Sequence, residues 1–235
     1  MCGVCSRRSL VTGAVATFIF GTGICNAADE DRRILCGFND EGLRTYRNSM
    51  TSTSGDPRFD NAVIAELKRI LNVIPIDPGF KYVRANNAAA TPESIVGGTK
   101  GTVLIGLEFV SELVKQDDDG GVAVAGVLAH ECAHIFQYFS PYYDLLRGPT
   151  HRLLELHADL LAGYYMAKKL GSAGRKLNGL QRTLIQNGTY NNSDLRNHGT
   201  PGQRNAALDK GYMLSLGGAT FEDAAREGKD YVQNL

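Results

Sequence analysis

The sequence predicts an α+β fold, mostly helical with one small sheet, and three observations carry that reading. Apolar residues recur at helical spacing in several separate segments, and residues 80–107 read as short strands. Residues 122–139 form a nearly all-round apolar run that is too long for a strand. Of the 235 residues 43% are hydrophobic and 21% charged, an ordinary globular balance that allows a real core. Lys plus Arg and Asp plus Glu are equal at 25 each. No basic excess draws the chain to nucleic acid or to an anionic membrane, so neither is expected as a partner.

Taken in order, the first element is an address. Residues Met1 to Ala27 combine a polar start containing Arg7 and Arg8, an apolar run from Leu10 to Ile24 and a small-residue exit at Cys25-Asn26-Ala27. The run is too short to span a bilayer comfortably and fits a signal-peptide core, which predicts a signal over 1–27 and one domain over 28–235. Export implies a periplasmic or secreted protein with no stable membrane span after cleavage. Ser6-Arg7-Arg8-Ser9-Leu10-Val11 resembles a twin-arginine signal, with the general secretory route as the alternative. Cleavage leaves Cys36 and Cys132, which either form a disulfide or leave Cys132 as a small buried hydrophobe.

Helical spacing of Phe59, Val63, Leu67 and Ile70 after Asp56-Pro57 predicts a helix over 57–71, with Asp56 as N-cap. Strands are expected at Phe80–Arg84, Asn86–Ala90 and Thr102–Leu107, around a Gly97-Gly98 turn, and a short helix over Glu108–Gln116. Asp117 to Asp119 read as solvated loop charges, since no calcium-loop pattern surrounds them. The apolar helix Val122–Phe139 stops before Pro141, and a second long helix, His151–Leu170, is expected with Thr150 as cap and Gly171 as stop. A helix over Gly174–Ile185, a polar loop from Asn187 to Gly199 and two capped helices from Thr200-Pro201 and Thr220 complete the chain.

The chemistry lies on the two long helices. His130-Glu131-Cys132-Ala133-His134 puts two imidazoles four residues apart on one helical face, where both reach one metal, with Glu131 beside it as a base for water. Catalytic zinc takes a third protein ligand. Glu155, 21 residues after His134 on an antiparallel return, is the candidate. Asp159, one turn on, can then accept the second ring N–H of a ligand histidine. Two other readings stay open: His151 as a third histidine ligand, and an acid pair that answers Arg147, Arg152 or Arg175. His157 points elsewhere on the helix and reads as a bystander or a support for the ligands. The aromatics at 136–143 and at Tyr164 and Tyr165 read as core packing.

His130-Glu131-x-x-His134 followed by Glu155-x-x-x-Asp159-x-x-Ala162-Gly163 resembles the gluzincin metallopeptidases, in particular the M48-like and neutral zinc metallopeptidase groups. Asn87-Ala88-Ala89-Ala90 resembles the Asn-Ala-Phe-Ala edge strand of that family, and His198-Gly199-Thr200-Pro201-Gly202-Gln203-Arg204 resembles its His…Arg motif. The likeness runs roughly from Lys81 to Arg204, with Ala89 standing where the family has an aromatic.

The resemblance implies a zincin-like domain whose edge strand lies over the active-site helix, one zinc ion and hydrolysis of a peptide or protein substrate. It implies that Glu131 takes the proton of a zinc-activated water, that His198 or Arg204 faces the tetrahedral oxygen, and that Asn87, Ala88, Ala89 and Ala90 pair with an extended peptide. Two rivals are a noncatalytic zincin-fold metal- or peptide-binding module of the cell envelope and a surface interaction protein with an incidental histidine pair.

Overall fold

The computed structural model describes residues 47–116, 121–173, 178–186 and 197–235. The expected signal peptide, Cys36, the three-Asp loop, Arg175 and most of the Asn-rich loop lie outside the described residues. Eight α-helices and three strands are described: α1 (Pro57–Leu71), β1 (Gly79–Val83), β2 (Ala88–Thr91), β3 (Thr102–Gly106), α2 (Leu107–Gln116), α3 (Val122–Tyr138), α4 (Tyr142–Leu146), α5 (Arg152–Leu170), α6 (Asn178–Gln186), α7 (Pro201–Leu216) and α8 (Phe221–Gln233). This is the α+β arrangement expected. Among the described residues no helix is long and apolar enough to cross a membrane.

Local chemistry accounts for most boundaries. The Asp56 carboxylate accepts from Arg58 N and Phe59 N, Pro57 needs no donor in the first turn, and α1 follows. Thr200 and Gln203 cap each other at the start of α7, and Thr220 Oγ1 accepts from Asp223 N at the start of α8. One cap departs from expectation. Helix α5 begins at Arg152, with His151 as its N-cap and no side-chain hydrogen bond there, so Thr150 does not cap it.

The sheet runs β1-β3-β2, with β1 parallel and β2 antiparallel to β3. Central β3 is buried at all five positions, which is why it reads as a continuous apolar run. Ala88, Ala90, Val103 and Ile105 face the helical core, whereas Ala89 and Leu104 join Val83 and Ala85 in a second, smaller cluster on the other face. Strand β2 is the edge next to α3, and Tyr138 Oη of α3 donates to Ala90 O at 3.3 Å.

Helix α3 forms the centre, buried at every position from Val122 to Ile135 and again at Gln137. Helices α5 and α7 approach backbone to backbone at two glycines. A Cβ on Gly163 would sit 2.0 Å from Leu208 O, and one on Gly211 would sit 1.7 Å from Leu160 O. Only glycine permits that spacing, and it brings the first turns of α7 against the acidic face of α5. Phe221 of α8 packs edge-on against Phe136 of α3 and Tyr164 of α5, with ring centroids 5.0 and 5.8 Å apart.

Candidate metal centre

Helical geometry places His130 and His134 one turn apart, and their Nε2 atoms lie 3.1 Å from each other, with the rings nearly perpendicular. Glu155 on α5 reaches the same point, Oε2 lying 3.4 Å from His130 Nε2 and Oε1 3.4 Å from His134 Nε2. All three side chains are buried, and one ligand atom from each lies within 4.8 Å of the others, a cluster that can hold a metal ion. The third member of the cluster is therefore Glu155. His151 sits at the N-cap of α5 outside that cluster, its pKa lowered by burial.

Both ligand rings are held from behind. His130 Nδ1 lies 2.9 Å from Asp159 Oδ1, which puts the ring proton on the side away from Glu155. His134 Nδ1 lies 2.8 Å from Gln137 Oε1. Gln137 in turn donates to Leu154 O at 2.8 Å and lies 3.1 Å from His157 Nδ1, while His157 Nε2 lies 2.9 Å from Ala225 O of α8. His157 does point away from the ligand cluster, as expected, and it ends in this chain of contacts. Gln137 went unnoticed in the sequence; its signal was the i, i+3 spacing after His134, which puts it on the ligand face of α3.

Two further residues close the wall. Gly199, at φ 88°, turns the chain between His198 and the Thr200 cap, and Asn197 Oδ1 accepts from Gly199 N at 2.7 Å. This turn sets His198 Nδ1 3.0 Å from Glu155 Oε2. Arg204 donates from Nε and Nη2 to the two oxygens of Asp159, at 2.8 and 2.9 Å, and its nearest approach to Glu155 is 4.0 Å. The arginine that answers the acid pair is thus Arg204, while Arg147 pairs with its neighbour Asp144. Two of the Arg204 nitrogens are thus spent on Asp159, the carboxylate that faces His130.

Burial and the neighbouring charges compete at every titratable group of the cluster. Burial pushes the pKa of His130 down, yet Asp159 and Glu155 outweigh it and hold it up at about 10. Burial lowers the pKa of His134. Burial would raise the Glu155 and Asp159 carboxyls, but imidazoles and, at Asp159, Arg204 draw both below the usual range. Three imidazole nitrogens stand within 3.4 Å of the two Glu155 oxygens. Two imidazole nitrogens and a carboxylate facing one point fit a divalent cation.

Glu131 is completely buried on α3, next to His130. Cys132 is a buried free thiol whose pKa is pushed up by burial and by Glu131, so it packs as a small hydrophobe. The predicted substrate strand is an edge strand, as expected. Gly106 N donates to Asn87 O, so Ala88 and Ala90 turn their backbone groups away from β3. It is not an open edge, however. Asn87 and Ala88 to Ala90 are at most 1% exposed, and the Ala90 carbonyl is already taken by Tyr138. Ala89 faces the smaller cluster with Val83, Ala85 and Leu104.

No protein-family model, curated protein or solved structure matches this chain.

Proposed function

We propose that the chain is an exported zinc endopeptidase with a gluzincin-type site in a zincin-like fold. The observation that carries this reading is the convergence of His130, His134 and Glu155 from two helices on one buried point, with the buried Glu131 following His130 on α3. A two-histidine, one-glutamate set is a catalytic zinc donor set that leaves a coordination position open. Zinc on these ligands supplies Lewis acidity, which makes water acidic enough to ionise near neutral pH and polarises a carbonyl.

The chain's own groups do the rest. Glu131 takes a proton from water as it attacks the peptide carbonyl and passes that proton to the leaving amine. His198, held against Glu155, is the candidate donor to the oxygen that becomes negative. Arg204 acts through Asp159, holding the carboxylate that orients His130. The rival noncatalytic module shares the metal and lacks the turnover.

Elemental analysis of the purified chain should find one zinc per molecule, and an unstructured protein substrate should be cut in a chelator-sensitive way. Glu131→Gln should keep the zinc and lower the cleavage rate by a factor of about 10² to 10⁴. Zinc without cleavage by the wild type selects the noncatalytic module, and no stoichiometric metal removes both readings.

A further inference from the structure

We propose that Gln137 and His157 are positioning residues that, from the Ala225 carbonyl of α8, set which nitrogen of His134 faces the ligand cluster. The inference rests on the metal-site reading above and extends it to groups that touch neither metal nor substrate.

The argument follows donors and acceptors along one buried line. A backbone carbonyl only accepts, so the 2.9 Å contact between His157 Nε2 and Ala225 O requires the proton on Nε2. In the neutral ring Nδ1 of His157 then carries the lone pair and accepts from Gln137 Nε2 at 3.1 Å. The orientation of that amide has a second, independent anchor, because Gln137 Nε2 also donates to Leu154 O at 2.8 Å. A flipped amide would set its oxygen against a carbonyl oxygen and against a lone pair. With both amide protons spent, Oε1 is left to face His134 Nδ1 at 2.8 Å and must accept from it. His134 is therefore the Nδ1–H tautomer, with the Nε2 lone pair directed at His130 Nε2 and Glu155.

His134, Gln137 and His157 are all completely buried, so water cannot substitute for a missing link. The two ligand histidines are thereby held by different means. His130 has a carboxylate behind it, while His134 has a neutral amide steered by a second imidazole. A neutral partner leaves the charge at the centre unchanged, and it ties that centre to the position of α8.

The test measures zinc affinity of the full chain by competition with a chromophoric chelator, with ring ¹⁵N–¹H spectra of the zinc-loaded protein as a second readout. Gln137→Leu should weaken zinc binding by about 10- to 100-fold, and the His134 Nδ1 proton should move upfield as it loses its acceptor. His157→Phe should weaken binding less, in the same direction. His157→Gln should restore near wild-type affinity, since its amide can accept from Gln137 and donate to Ala225 O. The Gln137→Leu/His157→Phe double variant should lose about as much as Gln137→Leu alone, because His157 acts only through Gln137.

Additive losses, or a His157→Phe chain with wild-type affinity, would overturn the relay. If Gln137→Leu fails to fold, the His157→Phe and His157→Gln pair decides: equal affinities overturn the relay, and loss with rescue supports it. A wild-type chain that takes up no zinc overturns the metal reading and this one with it. A wild type that binds zinc, with Gln137→Leu unchanged, overturns the relay alone.

Discussion

The guanidinium of Arg204 lies edge to edge with the carboxylate of Asp159, Nε donating to Oδ2 and Nη2 to Oδ1, where neither side chain is more than 1% exposed. Asp159 in turn faces His130 Nδ1, so α7 reaches the ligand cluster through two contacts. Such a buried pair is weak as a source of stability and costly to break, since removal of one partner strands the other charge. Arg204→Leu should destabilise the chain by about 3–5 kcal/mol, measured by urea unfolding in chelator. Arg204→Lys should recover only part, because an ammonium cannot span both oxygens. Wild-type stability in Arg204→Leu would show that Asp159 finds another partner.

Glu155 is the third member of the cluster, which the pentapeptide on α3 cannot supply. Zinc at a hundredfold excess over its Kd should add about 2.7 kcal/mol to the unfolding free energy of the wild type. Glu155→Ala should lose most of that gain, seen as a reduced zinc-induced rise in melting temperature. Retention of the full rise would pass the third position to His151.

The glycine contact between α5 and α7 gives a test of how the wall is positioned. Gly211→Ala puts a methyl 1.7 Å from Leu160 O, a backbone atom that cannot swing aside. The helices must part, at a cost of about 1–3 kcal/mol or more, and zinc affinity should fall because Arg204 moves with α7. Gly202→Ala, on the same helix with open space around it, is the control and should change neither.

Part of the stability lost on acidification should come from Glu66, which joins α1 to α5. Its carboxylate accepts from Tyr165 Oη at 2.5 Å, Lys169 Nζ at 2.8 Å and Arg69 Nη1 at 2.8 Å. Burial would raise its pKa, but the bonds from Lys169 and Tyr165 outweigh burial and hold it below the ordinary 4.5. A depressed folded-state pKa contributes stability that is present above the unfolded value and lost as pH falls through the folded one. Glu66→Gln should therefore cost about 1–3 kcal/mol at neutral pH, and its deficit against the wild type should shrink below about pH 4.5. A deficit that stays constant down to pH 3 would exclude the carboxylate as its source.

Several parts of the fold and site were legible before any coordinates because their causes lie within a few residues. Asp56, Thr200 and Thr220 cap their own helices, and β3 shows its double burial as an unbroken apolar run. Where local choices compete, sequence alone does not decide between them: Thr150 offers an ordinary cap, yet α5 starts one residue later without one. The short helix Tyr142–Leu146 carries no spacing signal because five residues make little more than one turn.

At the site, the pairing of His130 with His134 is a property of one helix, since four residues make about one turn and no other part of the chain is needed. The same holds for Glu155 and Asp159 on α5. What each of these groups meets is a different matter. Asp159 had three arginines close in sequence and is bound by a fourth, 45 residues away, because two glycines let α7 lie directly on α5. Gln137 and His157 acquire their meaning from Ala225, a carbonyl on the last helix. Spacing along the chain states which side chains share a face, while the choice among distant partners follows from which helices pack, and that depends on the closeness of approach their smallest residues permit.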